Sequence, residues 1–310
     1  MAPNGKCIKP RNETGENESK AFCARSFVVV FITLATICAS STPQKPNQNP
    51  NKMKHFVLVH GASHRAWCWY KLTTLLTAAG HNVTTLDLPG SGIDPTQVQQ
   101  IHSITDYSEP LIKLMESLPP HDRVILVGHN LGGLPISLLM ERFPRKIAAA
   151  VFATASMPGL NISLATISEE INSSTHGYLG RNTDFMDTQY RFDDGSDKPA
   201  TAVFFGPKFL ASSLYQLSPP EDLTLALTLA RWAPLFHEKL VVTRKKYGSI
   251  SKIFIMTEQD RSIKPNLQLL MIAKNPPNEV KVINGSDHMV MFSRPMELFT
   301  NLLQIAQKYS

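Results

Sequence analysis

The chain has 310 residues, 43% hydrophobic and 18% charged, the make-up of a soluble globular protein with one large domain or a domain plus a cap. Its formal net charge is +6, yet residues 1–52 hold seven Lys/Arg against three Glu, so most of the excess lies in that segment. The basic balance therefore describes an extension and excludes a nucleic-acid surface on the body.

Residues 1–26 are polar, and Phe27–Ala39 forms an uncharged apolar run. That run is too short for a comfortable membrane span but matches the apolar region of a signal peptide. Ser41–Lys52, rich in Pro, Asn and Gln, reads as a linker. Met53 stands directly before the first predicted strand, so residues 1–52 read as a dispensable extension and 53–310 as a cytoplasmic body. The alternative is secretion or membrane anchorage through residues 27–39. Cys7, Cys23 and Cys38 all lie in the extension, leaving Cys68 alone in the body. A lone cysteine cannot form an internal disulfide framework, which fits a reducing compartment.

The body alternates short apolar runs with helical patterns. His55–Val59 predicts a buried strand, followed by an amphipathic helix over Trp67–Ala79 closed by Gly80. Asn82–Leu88 predicts a second strand and Ser103–Leu118 a helix ended by Pro119-Pro120. The run Val124–Val127 leads into Gly128-His-Asn-Leu-Gly132, and Leu131–Phe143 has a helical pattern. Strands are expected again at Ile147–Ala153, Lys252–Met256 and Val280–Ile283, and helices at Pro265–Ala273 and Met296–Tyr309. Strands this apolar, separated by helices, imply an α/β fold with a mostly parallel sheet covered on both faces. The rhythm lapses between about 157 and 247, an insertion long enough to be a helical cap over the carboxyl edge of the sheet.

Strand, Gly-x-Asn-x-Gly turn and helix reproduce the setting of a nucleophile elbow, in which the middle residue is ordinarily serine. Here that residue is Asn130. A carboxamide has no hydroxyl proton to give up and is a poor nucleophile. Asp260 follows the strand ending at Met256 and His288 follows the strand ending at Ile283. The order elbow, acid, histidine is that of the α/β-hydrolase fold. Each has a bland rival, Glu258 for the acid and Asp287 for the histidine, and His60 and His129 read as structural hydrogen-bonding residues. Backbone amides at Leu131 and Ala62 match the two oxyanion positions of such a fold. There is no metal-ligand spacing, phosphate loop or dinucleotide motif, so no metal and no cofactor are expected.

Several segments resemble the plant methylesterases, a family that also includes hydroxynitrile lyases and alkaloid esterases. They include His55–Ala62, Ala66–Lys71, Val124–His129, Asp187–Gln189, Phe204–Leu210, Leu214–Leu217 and Gly285–Met289. The resemblance spans residues 53–310. It implies an α/β-hydrolase fold and hydrolysis of methyl esters of small plant acids such as jasmonate, salicylate or indole acetate. It places the triad at Asn130, Asp260 and His288, with serine replaced at the first. It also puts Gly61, Phe185 and Met289 in the substrate pocket. Lyases of the family carry a non-glycine residue where Gly61 stands and often lysine where Met289 stands, so these two positions look esterase-like. Phe185 stands where many relatives have tryptophan. The expected partner is a small methyl ester or its free acid; a homodimer is left open. With Asn130 in place, the resemblance implies weak or absent esterase activity, the alternative being a non-catalytic protein that binds a small hormone-like molecule.

Overall fold

A computed structural model of the chain describes residues 53–160 and 186–309. The extension 1–52, including the apolar run 27–39, and Phe185 lie outside the described residues. Among those described, no helix is long and apolar enough to cross a membrane.

Six parallel strands form the central sheet: β1 (His55–Val59), β2 (Asn82–Thr85), β3 (Val124–His129), β4 (Ile147–Ala153), β8 (Lys252–Thr257) and β9 (Glu279–Ile283). Their order is β2-β1-β3-β4-β8-β9, with every neighbouring pair parallel. Side chains alternate between faces as a pleated strand requires. Val57, Val59, Val124, Leu126 and Phe152 enter one apolar cluster; Phe56, Leu58, Ile125, Val127 and Val151 enter the other. All are buried, and each such side chain contributes about 1.5–3 kcal/mol on leaving water. Helices α3 (Glu109–Ser117) and α4 (Gly133–Arg142) supply Leu111, Met115 and Leu139 to the first cluster. Helix α1 (Tyr70–Ala78) and the C-terminal helix (Pro295–Lys308) supply Leu72, Leu76, Leu298 and Leu302 to the second.

The strand order decides where a site lies. The chain leaves β1 toward β2 on one side, then returns to place β3 on the other side of β1. The loops after β1 and β3 therefore diverge and open a crevice at the carboxyl ends of both strands.

Three details differ from the sequence-based expectation. The helix predicted over Ser103–Leu118 is two pieces, α2 (Ile104–Tyr107) and α3. Pro110 has no N–H to donate to Asp106 O, and the Ser108 hydroxyl turns back to Ile104 O at 2.6 Å. The strand expected to reach Leu88 stops at Thr85. The insertion holds more than helix: β5 (Gln189–Arg191), β6 (Ala202–Phe204) and β7 (Ala233–Pro234) form an antiparallel sheet, ordered as numbered. A helical turn over 207–214 and helix α5 (Pro220–Leu229) complete the described part of the cap.

Candidate active site

Asn130 begins the tight turn between β3 and α4 with φ at +51°, in the left-handed region. A non-glycine residue rarely sits there, and asparagine is among those that tolerate it best. The turn is tight because Gly132 approaches β1: a Cβ on it would lie 2.5 Å from Val59 O. Gly61 is needed for a related reason, since a Cβ there would lie 2.6 Å from Asn130 Cβ. The glycine expected in the substrate pocket thus also makes room for residue 130.

Asp260 and His288 arrive from separate loops, after β8 and after β9. His288 Nδ1 donates to Asp260 Oδ2 at 2.8 Å. The carboxylate is held in turn by the backbone amides of Ser262 and Ile263, both 2.8 Å from Oδ1. With the proton on Nδ1, His288 Nε2 is left as an acceptor, and it receives the Asn130 amide Nδ2 at 3.0 Å. The amide oxygen faces the other way and accepts from Ala62 N at 3.2 Å. One carboxamide thus bridges the His288 imidazole and the Ala62 backbone amide. Asn130, Asp260 and His288 are all buried.

The rivals fall elsewhere. Glu258 is exposed to solvent. Asp287 is buried but turned away from the site, accepting from Leu217 N at 2.9 Å, Ser218 Oγ at 2.8 Å and Met289 N at 3.0 Å. Leu131 packs with Ala62 beneath the cap sheet, where Tyr190, Val203 and Leu235 close an apolar roof. Met289 is fully buried in the cluster around Trp69, Leu210 and Val290.

Three more histidines crowd this edge. His60 Nδ1 donates to Gly61 O at 2.9 Å and its Nε2 accepts from Leu88 N at 3.1 Å, which ties the β1 loop to the segment after β2. His64 Nδ1 donates to Ala62 O at 2.8 Å. His129 Nε2 donates to His288 O at 2.9 Å. Burial is the chief cause of their acidity: it brings His60 down to about 4 and His64 to about 3, and holds His129 well below the usual value. All three are neutral at pH 7 and fix loop geometry.

Sequence reasoning missed one feature, the cap turn Tyr215–Ser218. The Tyr215 hydroxyl donates to His64 Nε2 at 2.7 Å on the oxyanion loop. Gln216 Nε2 donates to Gln259 O at 2.7 Å, next to the acid. Leu217 and Ser218 hold Asp287, next to the histidine. Four consecutive cap residues therefore reach three of the four loops of the site, those after β1, β8 and β9. Leu214–Leu217 is among the segments that carry the family resemblance, but the partners lie 43 to 151 residues away, so no local pattern gives these residues their role. Among the described residues no cluster of His, Cys, Asp and Glu is arranged to hold a metal.

Comparison with known proteins matches residues 56–302 to the model of the alpha/beta hydrolase family. The chain is 50% identical over 262 residues to methyl jasmonate esterase 1 of Vitis vinifera, covering 83% of this chain and 98% of that protein. It is 44% identical to salicylic acid-binding protein 2 of Nicotiana tabacum, with the same two coverages. Among solved structures, tomato methylketone synthase I complexed with 2-tridecanone is 47% identical, with a TM-score of 0.76 over 83% of this chain and 99% of that one. Polyneuridine aldehyde esterase is 38% identical, with a TM-score of 0.75 over 82% of this chain and 100% of that one. An α/β sheet that opens a crevice between β1 and β3, together with these relatives, makes the chain a member of the alpha/beta hydrolase family and, within it, of the plant methylesterases.

Proposed function

We propose that this chain binds methyl esters of small plant acids, of the jasmonate, salicylate or indole acetate type, and hydrolyses them feebly because residue 130 is an amide. One observation carries the reading: the Asn130 carboxamide bonds to both His288 Nε2 and Ala62 N. In a serine esterase those two groups receive the hydroxyl proton and the carbonyl oxygen of the substrate. Here a side chain of the protein satisfies both.

In this reading Asp260 orients His288, and the amides of Ala62 and Leu131 would polarise the ester carbonyl. The nucleophile left is water. His288 takes its proton once Asn130 has turned away from Nε2, and the water oxygen adds to the carbonyl carbon. The tetrahedral adduct then collapses to the acid as the ester C–O bond breaks and methanol leaves with the proton returned by His288. Loss of a serine nucleophile costs on the order of 10⁶ in turnover, with about 10³ over the uncatalysed rate surviving. Relatives named for methyl jasmonate hydrolysis and for salicylic acid binding support the choice of ligand class.

The test is hydrolysis of methyl jasmonate, methyl salicylate and methyl indole acetate by the wild type, Asn130→Ser and His288→Ala. Asn130→Ser should raise hydrolysis of at least one ester by ~10³ or more. Wild-type turnover no greater than that of His288→Ala would sink the catalytic half of the proposal. The same bridging amide favours a second reading, binding without turnover. Calorimetry with the esters and free acids decides it, and absence of binding by all of them would exclude it.

A further inference from the structure

The cap sheet has two faces. Tyr190 and Val203 point toward the roof of the site with Ala233, so Arg191 and Phe204, alternating with them, leave on the far side. There they line a cleft of about 190 Å³ together with Arg231, Trp232, Gln97 and Gln99. The cleft is smaller than the several hundred Å³ of a pocket for a drug-sized ligand, so its occupant is a single ring or a bare ion.

Its chemistry is one-sided. The charged lining residues are both guanidiniums, and among the described residues no carboxylate lines it. Arg231 Nη1 donates to two backbone carbonyls, Gly92 O at 3.0 Å and Asp94 O at 3.3 Å. Neutral acceptors hold the group in place, and the nearby Asp94 carboxylate offsets only part of its charge. Arg191 lies over the Trp232 ring, 5.2 Å from its centroid. In the orientation that satisfies its hydrogen bonding, the Gln99 amide oxygen accepts from both Nη groups of Arg191, at 2.8 Å from Nη2, so a carboxylate would displace Gln99 from that fork. The nearest counter-ion of Arg191 is Asp193, whose carboxylate is 3.7 Å away on a partly exposed pair and offsets little.

A third guanidinium adds to the excess. Arg65 is held below its usual value by burial and then by the charge of Arg231, with Asp87 a smaller opposing influence. Among the described residues the buried Arg65 Nε finds no hydrogen-bond partner. The aromatic part is equally fixed: the Phe204 and Trp232 rings lie 5.7 Å apart, centroid to centroid.

We propose that this cleft is a binding site for a small planar carboxylate, its charged group held by Arg191 and Arg231 and its ring laid against Phe204 and Trp232. Guanidinium forks match a carboxylate in shape as well as charge, and aromatic faces add stacking that a bare ion cannot use. The site lies on the far face of the cap sheet from Asn130 and shares no residue with the ester site, so it stands whether or not the ester reading does.

The test follows the indole N–H signals of the three tryptophans in the ¹⁵N-labelled full chain, with Trp232 assigned through Trp232→Phe. Benzoate, inorganic phosphate and benzyl alcohol serve as probes. Benzoate should shift the Trp232 signal saturably and more tightly than phosphate, and benzyl alcohol should give no saturable shift. Affinity for benzoate should fall tenfold or more in Arg231→Gln and in Arg191→Gln, and stay unchanged in His288→Ala. Arg191→Gln keeps the test decisive if Arg231→Gln, which frees the loop at Gly92 and Asp94, fails to fold. No saturable shift at tens of millimolar benzoate would overturn the proposal, as would binding indifferent to Arg191→Gln. Phosphate binding as tightly as benzoate would remove the ring from the assignment and overturn it too. Loss of binding in His288→Ala would place the ligand in the ester site instead.

Discussion

On the Asp260–His288 side of the site, each hydrogen bond runs in the direction that proton abstraction needs: two backbone amides hold the carboxylate, and the carboxylate holds the imidazole with Nε2 free to accept. On the Asn130–Ala62 side, the polar groups satisfy one another. An amide is both donor and acceptor, so it bridges a base and a backbone N–H that an ester and a hydroxyl would otherwise share. The contrast teaches that one polar side chain at the turn can occupy two partners at once, and on the proposed reading this is what leaves the site without its attacking atom.

The strongest way to break this comparison is kinetic. If the acid–histidine half is intact, Asn130→Ser gains ~10³ or more in ester hydrolysis, and adding His288→Ala removes nearly all of that gain. A gain that survives His288→Ala in a stopped assay on the best ester would show that the two halves are not coupled.

A second prediction concerns pH. His60 and His64 are lowered to about 4 and about 3 by burial, so the unfolded chain binds more protons than the folded one below the ordinary histidine value of ~6.5. Stability should be flat with respect to these groups above that pH and decline as pH falls toward 4, by an amount on the order of a few kcal/mol. Urea midpoints that hold steady from pH 7 to 4.5 would contradict the burial of uncharged imidazoles beside the oxyanion loop.

The remaining two concern how the cap is attached. Asp222 on α5 is buried and pairs with Lys71 on α1, while the Tyr70 hydroxyl donates to its other oxygen at 2.9 Å. Lys71→Met should destabilise by roughly 2 kcal/mol, less than for a fully buried pair because Lys71 is partly exposed. Ser218→Ala removes one of three donors to Asp287 and should cost about 1 kcal/mol. In the Asn130→Ser background it should raise KM more than it lowers kcat if the cap turn serves binding. An equal fall in kcat would mean that the turn steadies His288 itself.

Much of the scaffold was readable beforehand because its strands are apolar on both faces and its helices are separated by clear breaks. Ser103–Leu118 has the pattern of one helix because apolar spacing continues through it, although Pro110 interrupts the ladder. The cap sheet escaped notice since its strands are only two or three residues long, too short for any period to show. Asp260 is the acid expected from chain order, with Glu258 its rival in the same loop; Asp260 is buried and 2.8 Å from His288, whereas Glu258 is exposed.

The amino-acid order alone determined the alternation of strand and helix, the elbow at residue 130 and the amide that stands there, because these depend on local pattern and on side-chain chemistry. Only the folded arrangement decided what the amide does. Its oxygen meets an N–H 68 residues away and its nitrogen an imidazole 158 residues away. Contacts at such separations depend on sheet order and loop path, and neither is written in the neighbours of Asn130.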